Sequence, residues 1–353
     1  MEIIDSPIPE INDDQVLIRV VVSGSNPKDW KLPDLRPGAI NQGDDIAGIV
    51  ERVGANVYEF KPGDRVAAFH EMFSPGGSYA EFAVAWSHTT FHLPHSVSFE
   101  DAAALPLASM TAAIALYQRL ALPQPWDPPR DETGPLVIYG TSSSVGFYAL
   151  QLALRSNIHP ILCVAGRATE HIQTFIDPAK GDVVIDYREK TPEEIASALR
   201  VAAKGNPIYH ALDAVSENGT PGILAQTLHI STDQNGNVTN GKDDKHESKG
   251  KKSKVTFVLA GHKHEIPPEI EQDITTVGSV HRDGKDFGFV WFRYMARGLR
   301  EGWFCPQRVE VVPGGLGGIE KGLRDLKAGK ASALKFVFRI SETEGVRREE
   351  GKL

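Results

Sequence analysis

The sequence predicts a two-domain α/β protein: a small barrel or curled sheet of short strands, then a parallel sheet wrapped by helices. Three observations carry this. Between Val16 and Ala83, short β-branched runs are separated by Gly, Pro, Asn and Asp, the pattern of a barrel or curled sheet. From Gly134 onward, apolar runs alternate with helical runs, which means βαβ units around a parallel sheet. The chain has 353 residues, room for roughly two domains at about 150 residues each.

The elements follow in order. Val16–Val22 and Asp45–Val53 are β-branched strands, and Val57 leads through the turn Lys61–Pro62–Gly63–Asp64 into Val66–Phe69. Tyr79–Ala83 is a further strand after Pro75–Gly76–Gly77. Ser98–Phe99–Glu100–Asp101 reads as a helix start, because a serine cap satisfies an orphan N–H and acids favour the positive dipole end. Thr111–Leu120 is an apolar helical stretch. Strand–helix pairs then run Leu136–Tyr139 with Val145–Leu154, Ile161–Val164 with Thr169–Ile176, Val183–Asp186 with Pro192–Ala203, and Ile208–Asp213 with Thr220–Leu228. Val255–Leu259 is another strand. Ser231–Lys254 has too little apolar surface to offset its ordering entropy, and is predicted to be a disordered insertion. Thr275–Val280 is predicted as an edge strand, open for dimerisation or covered, so monomer and homodimer both stand. A long helix through Phe289–Arg300, a strand Val309–Val312, a helix Gly315–Lys327 and a last strand Leu334–Ile340 close the chain.

Lys and Arg total 38 against 46 Asp and Glu, a net charge of −8. That excludes a general nucleic-acid binder, which needs a basic surface. No apolar run is long enough to span a bilayer. The start, Met1–Asp5, has neither a basic nor an apolar leader segment. Cys163 and Cys305 are the only cysteines, too few for a disulfide framework. Together these predict a cytoplasmic protein that binds no membrane.

The strongest chemical signal is Leu136–Tyr139 running into Gly140–Thr141–Ser142–Ser143–Ser144–Val145–Gly146 and then a helix. Small side chains let the backbone approach a diphosphate, and the first helical N–H groups point at it. Ser143 and Ser144 stand where a strict glycine fingerprint has glycines. After the second strand of the unit comes Ala165–Gly166–Arg167–Ala168, with no acid before Glu170. A carboxylate there would hold ribose hydroxyls and repel a 2′-phosphate, whereas a guanidinium attracts it. NADP(H) is therefore expected over NAD(H), with Tyr187 packing on the adenosine or capping the sheet edge. No metal is expected: there is no HExxH and no Cys-rich spacing, and the pairs His92/His95 and His262/His264 read as solvent loops. Cys163 reads as core. Asn26–Pro27–Lys28–Asp29–Trp30–Lys31 is a dense polar cluster whose lysines can meet a phosphate or an oxyanion, or form a solvated turn.

Several stretches together resemble the medium-chain dehydrogenase/reductase superfamily. They are Asn26–Lys31, Gly43–Asp44–Asp45–Ile46–Ala47–Gly48 with Val53–Gly54, Lys61–Val66, Gly77–Phe82, Ala102–Ala113, Gly140–Gly146, and Gly314–Gly318 through to Lys335–Ile340. Zinc-dependent members carry Gly–His–Glu where this chain has Gly43–Asp44–Asp45, and Cys where it has Ser25. The chain is therefore similar to the zinc-free branch. Within it, Asn26–Lys31, Asp186–Tyr187, Asp286–Phe287–Gly288 and Lys330–Ala333 most resemble the fungal trans-acting enoyl reductases and the related toxin-cluster oxidoreductases.

The resemblance implies a GroES-like β-barrel catalytic domain over residues 1–104, with 285–353 returning to it. It implies a Rossmann doubly wound domain over 105–284, interrupted by the insertion 231–254. It implies NADP(H) contacts at Lys28, Asp29, Trp30, Lys31, Ser142, Ser143, Ser144, Val145, Gly166, Arg167, Ala168, Tyr187, Leu259, Ala260, Ala331 and Ser332. It implies a substrate channel along Thr111, Ala112, Ala113, Ile114, Ala115, Leu116, Tyr117, Gln118 and Arg119, and near Gly278, Ser279, Val280, His281 and Arg282. Lys31 and Thr111 would face the substrate as catalytic groups. The family has a strand before its Pro–x–Pro segment, and here that segment is Ser6–Pro7–Ile8–Pro9, so either the barrel lacks an edge or the sequence is truncated. The expected reaction is NADPH-dependent reduction of an activated C=C bond in a small or carrier-bound enoyl substrate, with a polyketide synthase as partner. Reduction of small soluble quinones, or NADPH binding without turnover as a sensor or scaffold, are the other readings.

Overall fold

The computed structural model describes residues 2–35, 41–127, 133–230, 252–259, 261 and 264–346. The chain divides into two compact units, Met1–Met110 with Val277–Leu353, and Thr111–Thr276. These boundaries fall within α3 and just before a short 3-10 turn, a few residues from the sequence expectations of 104/105 and 284/285.

The first stretch of chain carries β1 (Gln15–Gly24), α1 (Pro27–Leu35), β2 (Asp45–Val53), β3 (Arg65–Phe69), β4 (Phe82–Trp86), β5 (Thr90–His92), α2 (Phe99–Ala102) and α3 (Pro106–Ala113). The middle stretch carries β6 (Leu136–Tyr139), α4 (Ser144–Arg155), β7 (Ile161–Ala165), α5 (Thr169–Gln173), β8 (Val183–Asp186), α6 (Pro192–Ala202), β9 (His210–Asp213), α7 (Thr220–Thr227), β10 (Lys254–Phe257) and β11 (Glu271–Ile274). The last stretch carries α8 (Lys285–Glu301), β12 (Val309–Val311), α9 (Ile319–Lys327) and β13 (Lys335–Arg339).

In the first unit the sheet runs β12-β13-β1-β2-β3-β5, with β4 also on β1. β1 changes partner along its length. Gln15–Arg19 pairs with β4 and Val22–Gly24 with β13, while β2 follows its other edge through two register shifts. Such irregularities bend and twist a strand, which is how the sheet curls. Val16, Ile18 and Val20 of β1 alternate into a core with Ile46, Val50, Val66, Ala68 and Ala83, the period-two pattern of a half-buried strand. On the other side Phe336 and Phe338 of β13 pack with Ile319 and Leu323 of α9.

In the second unit the sheet order is β11-β10-β9-β6-β7-β8, all parallel. This is the doubly wound order, with the reversal between β6 and β9. β6, β7 and β9 are buried throughout, as parallel strands covered on both faces must be. The cap of α6 is a capping box, with Thr191 and Glu194 each bonding the other's backbone N–H behind Pro192.

Three expectations are corrected. Thr275–Val280 is not a strand: β11 ends at Ile274 and Val277–His281 is a 3-10 turn. Ser253 and Lys254 belong to the sheet, since the buried Ser253 hydroxyl donates to His229 O at 2.6 Å and Lys254 opens β10. The rest of the predicted insertion, residues 231–251, lies outside the described residues. His264 is not a solvent loop residue, because its ring lies 4.2 Å from that of Phe257; His262 lies outside the described residues. No helix among the described residues is long and apolar enough to cross a membrane.

Candidate active site

The nucleotide loop is built by backbone geometry. Gly140 leaves β6 at φ +78°, and a Cβ on Gly146 would stand 2.3 Å from Gly140 O, so only glycine lets the first turn of α4 cross the strand end this closely. The Ser143 hydroxyl caps α4, accepting from Gly146 N at 3.1 Å. Serine thus replaces a fingerprint glycine by capping the helix. Ser142, Ser143, Ser144 and Val145 are half-buried around the N-terminus of α4. That leaves a concave ring of small residues at the positive end of a helix, beside the topological switch point. It fits a diphosphate. Next to it Asp213 is buried, accepting from Val215 N, Ser216 N and the Thr220 hydroxyl. Burial raises its pKa against those bonds.

The ribose end lies past β7. A Cβ on Gly166 would stand 2.8 Å from the Tyr187 ring, so the tyrosine lies flat on this glycine. Tyr187 is 43% exposed and stacks on Tyr139, with centroids 6.4 Å apart. Arg167 is exposed and Ala168 buried. Asp186 pairs in register with Ala165, but both its carboxylate oxygens bond the Arg188 guanidinium at 2.6–3.1 Å. The Arg188 hydrogen bonds hold the Asp186 carboxyl down at about 2. The one carboxylate paired beside this strand end is therefore neutralised by a guanidinium. The sequence reading passed over Arg188, although its place two residues after Asp186 was the signal. Leu259 is half-buried beyond β10; Ala260 lies outside the described residues.

In the first unit the Asn26–Lys31 cluster is not a solvated turn. It opens α1 and turns inward. Asp29 is fully buried; one oxygen accepts from Asn26 N at 2.7 Å and from the Tyr79 hydroxyl at 2.7 Å. Lys28 Nζ lies 3.0 Å from Asp29 Oδ1 and 2.5 Å from Asp44 Oδ2. Asp45 is buried against the Lys335 ammonium, and accepts from Asn26 Nδ2 and from Leu107 N at the start of α3, each at 2.7 Å. Lys28 and Asp29, expected at the cofactor, are thus engaged inside the unit. Trp30 is half-buried between the Lys31 and Lys327 ammonium groups, 5.3 and 4.9 Å from its ring. Asp44, Asp45, Tyr79 and Lys335 escaped the chemical reading of the sequence, because nothing local brings them to Asn26–Asp29. Ala331 and Ser332 are half-buried just before β13.

The substrate runs divide. Ile114, Ala115 and Leu116 are fully buried in a π-helical segment, and with Ala112 and Ala113 they are core, not channel wall. The Tyr117 hydroxyl donates to Leu152 O at 3.0 Å, and Arg119 pairs with Asp273 at 3.6 Å. Thr111 is buried and Gln118 exposed. In the 277–282 segment, Gly278 faces Met72, the Ser279 hydroxyl is buried without a hydrogen bond, and Val280 O accepts from His88. His281 is buried; its Nε2 bonds Phe69 O at 3.3 Å, and burial lowers its pKa to about 3. Arg282 is exposed. Cys163 is core as expected, its thiol pushed up by burial to about 12.

A curled sheet joined to a doubly wound sheet with a serine diphosphate loop defines an oxidoreductase of the medium-chain dehydrogenase/reductase type. The alcohol dehydrogenase GroES-like domain matches residues 12–95. Trans-enoyl reductase fsr4 of Gibberella fujikuroi is 45% identical over 89% of this chain and 88% of its own length. Trans-enoyl reductase ACTTS2 of Alternaria alternata is 29% identical, with 96% of each chain covered. A solved mycobacterial structure complexed with NADPH shares the fold, with a TM-score of 0.71 at 19% identity over 95% of this chain and 94% of its own. The chain belongs to the trans-enoyl reductase family.

Proposed function

We propose that this trans-enoyl reductase reduces the α,β double bond of an enoyl thioester carried by a polyketide synthase, with NADPH as the reductant. The observation that carries the reading is the Ser142–Val145 bend at the switch point, with Tyr187 laid on Gly166 and Arg167 exposed beside it. When bound, the dinucleotide supplies a hydride to the β-carbon. The chain holds it: the first N–H groups of α4 and the serine hydroxyls bond the diphosphate, and Arg167 meets the 2′-phosphate. Arg188 keeps Asp186 from repelling that phosphate. Negative charge then gathers on the thioester carbonyl oxygen. We assign Lys31 and Thr111 to donate to it, since donors aimed at developing charge are worth most in a dry site.

The test is NADPH oxidation with a panel of crotonyl and longer enoyl thioesters, on free pantetheine and on a carrier domain, beside small quinones. Saturating turnover of thioesters with little on quinones is expected, and a carrier-bound substrate should show the lower KM. Turnover of quinones alone would overturn the reading.

A further inference from the structure

The reduction needs a proton at the α-carbon, and the first unit holds a pair suited to give it; this step rests on the reading above. Lys28 and Lys31 are three residues apart on α1, so they share one side of the helix, a turn apart. Lys31 is the group assigned to the thioester carbonyl, and the α-carbon is bonded to that carbonyl carbon. The Lys28 side chain is 17% exposed and that of Asp44 2%. The ammonium is therefore the outer end of the pair and the carboxyl the inner end, 2.5 Å apart.

The charges around the pair do not balance. Asp29 on α1, Asp44 and Asp45 at the start of β2 face Lys28 and Lys335 of β13, three buried acids against two ammonium groups. Tyr79 adds no compensating charge, since burial drives its pKa well above 10 and its hydroxyl donates to Asp29. His70, whose backbone N–H donates to Asp44 O at 2.9 Å, is kept neutral by burial. A buried excess charge is relieved by taking up a proton. Asp44 is where it falls: burial pushes its carboxyl up to about 8, against the pull of Lys28.

We propose that Lys28 and Asp44 form the proton-delivering pair of the reduction, Lys28 giving a proton from Nζ to the α-carbon and Asp44 replacing it. Hydride transfer to the β-carbon leaves an enolate and the oxidised dinucleotide. The enolate's electron pair takes H⁺ from Lys28 Nζ, forming the Cα–H bond and restoring the carbonyl, while the N–H pair stays on nitrogen. The neutral amine takes the Asp44 carboxyl proton. The Asp44 carboxylate regains a proton from water. Burial opposes the charge on Lys28, but Asp29 and Asp44 outweigh it and raise its pKa. The ammonium thus keeps its proton until a far stronger base, the enolate, forms.

Lys28→Arg separates this role from a purely structural one. It keeps a cation between Asp29 and Asp44, but a guanidinium does not release a proton in the working range. The expected result is a near-native melting temperature, an unchanged KM for NADPH, a kcat lower by about 100-fold, and a larger solvent deuterium isotope effect. Asp44→Asn should remove the alkaline limb of the kcat profile near pH 8. In the infrared spectrum of the protein alone, the wild type should show a carboxylic-acid C=O band at pH 7. That band should titrate away near pH 8 and be absent in Asp44→Asn. Wild-type kcat in Lys28→Arg, or no such band, would overturn the proposal. A wild type that turns over no enoyl thioester at all would sink the substrate reading instead, and is recognisable because the loss is not confined to the variants.

Discussion

The two units handle polar groups in opposite ways. Around β6 and α4 the site is made of backbone and small side chains: Gly140 and Gly146 allow the close crossing, and Ser143 caps the helix. Around α1 and β2 the polar groups are charged side chains sunk in the interior, Lys28 with Asp29 and Asp44, and Lys335 with Asp45. A backbone-built site tolerates substitution of its exposed members and fails at its glycines. A charge-built site fails whenever one partner is removed, because the other is left buried and alone.

The largest effect therefore belongs to the first unit. Asp45→Ala strands the Lys335 ammonium, 4% exposed, and leaves Asn26 Nδ2 and Leu107 N without an acceptor. Urea unfolding should show a loss of about 3–5 kcal/mol, the usual cost of breaking a buried pair. A loss under about 1 kcal/mol, the scale of a surface pair, would mean the pair is solvated and the contrast between the units is false. Arg167→Ala should act on binding and spare stability. The lost charge-assisted contact is worth about 1.5–3 kcal/mol, so the Kd for NADPH should rise about tenfold or more while that for NADH stays put. Equal changes for both would remove the 2′-phosphate from Arg167.

This contrast also explains what was legible. The serine loop, Arg167 and Tyr187 sit within a few residues of strand ends that periodicity marks, so local pattern placed them. The ion network joins residues near 26, 44, 79 and 335, and only the folded sheet, in which β1 pairs with both β2 and β13, brings them together. Thr111–Arg119 reads as one apolar helical run whether it is core or channel wall. Burial alone showed Ile114–Leu116 to be core. Thr275–Val280 looked like a strand because β-branched residues cluster there, but the chain has already left the sheet at Ile274 and Gly278 packs on Met72.

Acid should find the first unit before the second. His281, buried between Phe69 and His88, has its pKa lowered to about 3, burial being the main cause. Between its unfolded value of 6.5 and that limit, the unfolded chain binds a proton that the folded chain does not. Stability from this group is therefore present above pH 6.5 and drains away as pH falls, by at most about 1.4 kcal/mol per pH unit for one proton. His281→Gln should flatten the fall in melting temperature between pH 6.5 and 4. An unchanged slope would assign the acid sensitivity to other groups, such as His70 and His88, whose pKa values burial also lowers.

The smallest effect lies at a cap far from either site. Thr191 accepts from Glu194 N at 3.2 Å while Glu194 accepts from Thr191 N at 2.7 Å. Thr191→Ala removes one arm of this box and should cost about 1 kcal/mol. Helix α6 packs Ile195, Ala196 and Leu199 into the same core as Val137 and Val164, which flank the nucleotide loop through β6 and β7. If the loop is held by its own backbone contacts, as Gly140 and Gly146 indicate, NADPH affinity should not move with this loss. A Kd that rises in step with the lost stability would instead show that the diphosphate loop depends on α6, and that its backbone geometry alone does not preorganise it.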